Sequence, residues 1–209
     1  MASPGTLITH DLTTARPRPP RGALVELWYW FGTAFLAIGG WKIAGDWPDD
    51  AKCVIIAAPH TSNWDGIWMI AAAAKWRIRL RYMGKKSLTE GPLGAIVKWT
   101  GCIPIDRSKT NDVVAAMKLA FAAEPTLYLA VPPEGTRDAV DKWKSGFYHI
   151  AVGAGVPITF AVMDYATKTV SLPATFWPTG NYEADLPIIQ GFYAKAQGKY
   201  PHNFVMTGK

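Results

Sequence analysis

An α/β fold in one domain is predicted by three features of this sequence. Apolar runs of strand length, such as Cys53 to Ala58 and Leu127 to Val131, alternate with longer segments whose apolar residues recur at helical spacing. The chain has 209 residues, close to the size of a single domain. Hydrophobic residues make up 49% of it and charged residues 18%, so a sizeable core can form and a disordered chain is excluded.

The elements follow in order. Residues 1–22 are polar and broken by Pro4, Pro17, Pro19 and Pro20, which predicts a flexible leader. Residues 23–45 turn apolar. The uncharged run from Leu27 to Trp41 would be about 22 Å long as a helix, short of the ~30 Å hydrocarbon core. With Trp28, Tyr29, Trp30 and Trp41 it reads as a helix lying in a membrane interface, Arg16, Arg18 and Arg21 just before it; a buried core helix is the other reading. Residues 46–209 form the α/β body. Cys53 to Ala58 is a buried strand and Gly66 to Trp76 a buried helix. Arg77 to Tyr82 alternates strictly, as a strand does. Ile103 to Asp106 is a short strand. Thr110 or Asn111 caps a helix carrying Val113, Val114, Met117 and Phe121. Leu127 to Val131 is a strand halted by two prolines, and Phe147 to Gly153 is helical. Pro157 opens another strand, Lys168 to Leu172 is one more, and Asp185 caps a last helix.

The charge balance narrows the partners. The net charge is +6, and ten tryptophans accompany it. That combination points to an anionic partner: membrane surface, phosphorylated substrate or nucleic acid. Between Lys75 and Lys109 nine basic residues face only Glu90 and Asp106, as a band toward anionic headgroups or as a solvated strand face. Two cysteines exclude a disulfide framework, and the four histidines show no metal-ligand spacing, so no metal is expected. Cys53 and Cys102 read as reduced core residues, consistent with a cytosolic face.

Chemistry concentrates after the first buried strand, in APHTSNWDG. His60 and Asp65 would stand about 140° apart on a continuous helix. They meet only if the chain turns through Thr61, Ser62 and Asn63 and starts a helix near Asp65. A carboxylate on one imidazole nitrogen fixes the tautomer and raises the basicity of the other. That makes a general base with no serine or cysteine nucleophile beside it; the plainer reading is a capped helix with an incidental histidine. Glu134, Gly135, Thr136 and Arg137 follow a strand and two prolines, in a turn at a strand's carboxyl end, where α/β sheets bind ligands. Gly135 permits positive φ, and Arg137 can grip a phosphate, or Glu134 and Arg137 can simply pair.

The ordered set HTSNWD, GCIPIDR, PPEGTR and VPITFAV resembles the four blocks of the glycerolipid acyltransferases, the PlsC-like family, and spans Pro59 to Val162. The resemblance implies a mixed sheet flanked by helices with a membrane-facing N-terminal helix. It implies His60 as base, Asp65 as its orienting partner and Arg107 as a phosphate ligand. Glu134, Gly135, Thr136 and Arg137 would shape the acceptor site, and Pro157 would support the acyl-chain region. The implied reaction moves an acyl group from a coenzyme A or acyl carrier protein thioester to a lysolipid hydroxyl, 1-acylglycerol-3-phosphate or a related lysophospholipid. The thioester is a co-substrate; no cofactor is implied. The implied place is the cytoplasmic face of a membrane, peripheral or monotopic. Two departures stand out: Ile103-Pro104-Ile105 where an aromatic is common, and a single N-terminal apolar segment. A basic nucleic-acid-binding protein would explain the charge but not His60, Asp65 and EGTR, so no nucleic acid is expected. A catalytically silent lipid-binding protein of the same fold would differ only in activity.

Overall fold

The computed structural model describes residues 2–20, 22–105 and 110–204. Its strands are β1 (Leu7–Thr9), β2 (Lys42–Ala44), β3 (Lys52–Ala58), β4 (Leu80–Lys85), β5 (Cys102–Ile105), β6 (Leu127–Val131), β7 (Ile158–Asp164), β8 (Thr169–Ser171) and β9 (Ala174–Phe176). Its α-helices are α1 (Ala23–Gly39), α2 (Asn63–Lys75), α3 (Gly94–Trp99), α4 (Thr110–Ala123), α5 (Gly146–Ala154) and α6 (Tyr182–Gly191). Among the described residues the strands form one mixed sheet in the order β1-β9-β7-β3-β6-β4-β5, with β8 on β7 and β2 on β8. The block from β7 through β3, β6 and β4 to β5 is parallel, and β8 and β9 run antiparallel to β7.

Strand β3 is buried on both faces, which is why it reads as an unbroken apolar run. Its alternation sorts two cores. Val54, Ile56 and Ala58 pack with Met117 and Phe121 of α4, Phe147 and Ile150 of α5, and Ile189 of α6. Cys53, Ile55 and Ala57 pack with Leu36 of α1 and with Met69 and Ala72 of α2. The sheet is thus a middle layer between α1/α2 and α4/α5/α6.

Helix α1 serves the core and the surface at once. Gly32 and Leu36 are buried, while Leu24 (76% exposed), Leu27 (69%), Trp30 (63%) and Ile38 (88%) face outward. Close approach to α2 depends on Gly32, where a Cβ would fall 2.7 Å from both the Ala71 carbonyl oxygen and the Ala74 Cβ. Gly32→Val is therefore expected to lower stability by about 1–3 kcal/mol through overpacking. Thermal unfolding checks this, and a melting temperature equal to the wild type's would contradict the tight contact. No described helix is long and apolar enough to cross a membrane.

Three expectations are corrected here. The leader is not loose: β1 pairs antiparallel with β9, and Arg16 binds Asp46 through its main-chain N–H and its Nε. Arg18 donates to Tyr128 Oη and the Pro48 carbonyl, and Arg21 lies outside the described residues. The strand expected from Arg77 starts at Leu80, because Arg77 takes the left-handed conformation (φ 58°) just after α2. There the Arg77 and Ile78 N–H groups bond back to the Ala74 and Ala73 carbonyls and close the helix. The cap of α6 is Asn181, whose side chain accepts from the Ala184 N–H, and Asp185 lies inside the helix, bonded to Tyr148 Oη.

Candidate active site

The site sits where β3 and β6 end. Their parallel register pairs Ile56 with Val131, so the turns that follow, Pro59 to Asn63 and Pro132 to Arg137, emerge side by side. The Ala58–Pro59 bond is cis. Ser62 caps α2: its Oγ accepts from the Trp64 N–H, and Asp65 Oδ2 accepts from the Thr61 and Ser62 N–H groups at 2.6 and 2.7 Å. The helix thus begins soon after the strand ends, as the meeting of His60 and Asp65 requires.

His60 Nδ1 stands 3.5 Å from Asp65 Oδ2. That is an alignment rather than a full hydrogen bond, since the same oxygen already accepts from two main-chain donors. Catalytic contacts of this kind commonly tighten when substrate binds. The cap and the dyad are one structure: the carboxylate that starts α2 also faces the imidazole. Asp65 is fully buried, and the His60 side chain keeps 25% of its surface exposed. Nδ1 is turned to the carboxylate, so Nε2 is the nitrogen left to take a proton.

Two further residues hold this pair. Tyr165 Oη donates to Asp65 Oδ1 at 2.6 Å and stacks edge-on against Trp41. Burial, then the bond to Asp65, pushes its phenol well above the ordinary tyrosine range, so it stays a donor. Tyr165 escaped the sequence reading because no motif marks it and it lies 100 residues from Asp65. Glu134 ties the second turn to the first: its Oε1 accepts the His60 main-chain N–H at 2.9 Å. Its Oε2 is buried without a partner among the described residues.

Burial raises the Glu134 carboxyl from 4.5 to about 7, against the opposing bond from His60 N–H. The shift corresponds to about 3 kcal/mol of preference for the neutral acid. A raised folded value means that this stability is full below pH 4.5 and is lost as the pH climbs through about 7. Glu134→Gln keeps the acceptor oxygen and never ionises. Its stability should therefore stay flat across that window while the wild type declines, as thermal melts at stepped pH would show. Parallel curves would contradict the assignment.

The rest of the second turn is tied to the first. Gly135 adopts the positive φ expected of it (67°), and Lys144 lies so close that a Cβ there would meet its side chain at 2.8 Å. Thr136 Oγ1 bonds Asp138, and exposed Arg137 donates to Asn63 Oδ1. Glu134 and Arg137 therefore do not pair with each other; each clamps one turn to the other. Arg107 lies outside the described residues. Pro157 is not part of this constellation. It precedes β7 beside Val54, whereas His60 follows Ala58, which pairs with Val162. Five residues of strand, roughly 16 Å, separate the two levels.

The arrangement offers one general base oriented by a buried carboxylate, with an exposed guanidinium at the rim. Comparison with known proteins agrees. Residues 46–163 match the family model described as Acyltransferase. The 1-acyl-sn-glycerol-3-phosphate acyltransferase of Haemophilus influenzae is 29% identical over 178 residues, 79% of this chain and 71% of that protein. The enzyme of that name from Salmonella typhimurium is 32% identical over 143 residues, 64% of this chain and 57% of that protein. In fold, the chain is similar to the crystal structure of the 1-acyl-sn-glycerophosphate acyltransferase PlsC from Thermotoga maritima, with a TM-score of 0.55 over 83% of this chain and 81% of that one, at 16% identity. With residues 46–163, more than half of its length, matching the family model, this chain belongs to the acyltransferase family.

Proposed function

We propose that this protein transfers a fatty acyl group from an acyl thioester to the free hydroxyl of 1-acylglycerol-3-phosphate or a related lysophospholipid. The observation that carries the reading is the dyad of His60 and buried Asp65, with Nδ1 turned to the carboxylate and no serine or cysteine bonded to the imidazole among the described residues. His60 Nε2 takes the proton of the acceptor hydroxyl as its oxygen attacks the thioester carbonyl. The tetrahedral adduct collapses, the carbon–sulfur bond breaks, and the departing sulfur takes the proton back from the imidazolium. Asp65 faces the positive charge that forms on the ring and holds it in place. The donor, on coenzyme A or acyl carrier protein, is a co-substrate and brings its own leaving group.

Arg137 at the rim is the described residue suited to the acceptor's phosphate. Its bond to Asn63 is the one a phosphate would join or replace. The lysolipid and its product both reside in bilayers, and α1 and α3 present an apolar face to meet one. Leu24, Leu27, Ile96 and Trp99 are all more than half exposed, and Trp28 packs edge-on against Trp99 to join the two helices. The proposed place is a monotopic seat on the cytoplasmic face, where the reduced, buried thiols of Cys53 and Cys102 also fit.

The test compares acceptors. Arg137→Ala is expected to raise KM for the phosphate-bearing acceptor roughly ten- to hundredfold, the worth of a charge-assisted bond. KM for monoacylglycerol should change much less. Equal losses on both would remove the phosphate from the reading.

A further inference from the structure

A cavity lined by arginines and aromatics is not used by this chemistry. It lies between the start of α1, the second half of α2 and the approach to β4, with a volume of about 550 Å³, within the range of sites that hold small molecules. Its walls differ in character. Leu24 and Trp28 of α1 and Trp99 of α3 supply an apolar side, and Arg18, Arg77, Arg79 and Arg81 line it as well. Arg77 is matched by Glu26 through Nη2 to Oε2 at 2.9 Å. Among the described residues the Arg18 guanidinium donates to neutral oxygens, those of Tyr128 and Pro48. Arg81 uses Nε on the Gly101 carbonyl, and exposed Arg79 makes no ion pair among the described residues. Three guanidinium charges thus line the groove against Glu124 alone.

The groove is remote from the reacting atoms. Arg81 pairs with Leu129, and Leu129 with Val54, six residues before His60. That spacing is about 20 Å along the strand. Meanwhile its apolar side runs directly into the exposed face of α1 and α3: Leu24 is 76% exposed and Trp99 57%.

We propose that this groove binds the headgroup of an anionic membrane phospholipid other than the reacting acceptor. Arg79 and Arg81 take its phosphate, and Leu24, Trp28 and Trp99 cover the first methylenes of its chains. A site that is cationic and apolar within one cavity suits an anionic amphiphile better than a free anion, and its continuity with the apolar face favours a lipid still in its bilayer. Occupied, it would fix the rotation of α1 in the interface and so the height of the dyad above it. The proposal rests on the membrane-acting reading above.

The experiment is vesicle sedimentation of the full chain, with phosphatidylcholine alone and with phosphatidylglycerol added. Wild type is expected to bind the anionic vesicles more tightly. Arg79→Ala with Arg81→Ala should lose that gain, roughly ten- to thirtyfold at the usual worth of a cation near an anionic surface. Lys85→Ala with Lys86→Ala, which removes equal charge outside the groove, should lose much less. Arg79→Ala alone, at an exposed position, should lose severalfold and serves if the double variant folds poorly. An equal loss in the lysine pair would reduce the effect to diffuse charge and overturn the site. So would an unchanged preference in the arginine variants. A raised KM for soluble acyl-coenzyme A would assign the arginines to donor phosphates instead. If wild type binds neither vesicle, the membrane reading itself falls, and the groove proposal with it.

Discussion

His60→Ala is expected to lower kcat by roughly 10²–10⁴, the usual share of a positioned general base, with little change in stability. The fold should survive because His60 contributes to it through its main chain. The N–H that Glu134 Oε1 accepts is present in alanine too, and the lost imidazole is partly exposed. Thermal melts of the variant should therefore overlay the wild type while turnover collapses. Near-native turnover would mean that the dyad is only the start of a helix.

Asp65→Asn is expected to damage both catalysis and stability. The carboxylate accepts from Thr61 N–H, Ser62 N–H and Tyr165 O–H, and it is fully buried. An amide has one accepting oxygen. Whichever way it is placed, its NH₂ group faces a donor, either the paired main-chain N–H groups or the Tyr165 hydroxyl. Leaving one buried donor unmet costs about 1–3 kcal/mol. The imidazole meanwhile loses the charge that orients it, so kcat should fall by roughly 10²–10³, less than for His60→Ala. Tyr165→Phe is the milder probe. It removes one donor from Oδ1, costs about 1 kcal/mol and leaves Oδ2 facing His60. Paired kcat and unfolding measurements would check the order, and an Asp65→Asn protein as stable and active as wild type would contradict it.

Much of the α/β body was legible because its cues are local. Cys53 to Ala58 and Leu127 to Val131 are short apolar runs, and the polar turns after them hold His60, Asp65 and Glu134 to Arg137 in consecutive residues. What was hidden depends on register or on distant partners. Pro157, expected to support the acyl-chain region, stands away from the dyad because a parallel strand enters the sheet at the end opposite its exit, and Pro157 is at the entrance. The first residues looked loose because proline-rich composition says nothing of an open strand edge. Leu7 to Thr9 is too short to show a period, yet β9 offers the edge that it fills. Alternation through Arg77 suggested a strand, whereas Arg77 sits in the helix-closing turn and is held by Glu26. The role of Glu134 could not be seen either. A carboxylate near an arginine suggests a pair, and only the side-by-side turns of β3 and β6 give it a main-chain N–H instead.

The most direct test of the central claim is one acyl-transfer measurement. Purified wild-type and His60→Ala protein are given an acyl thioester and 1-acylglycerol-3-phosphate, and the products are identified by mass spectrometry. The account predicts phosphatidate and free thiol in equal amounts from the wild type and a trace from the variant. No diacyl product from the wild type, or equal product from both proteins, would contradict it.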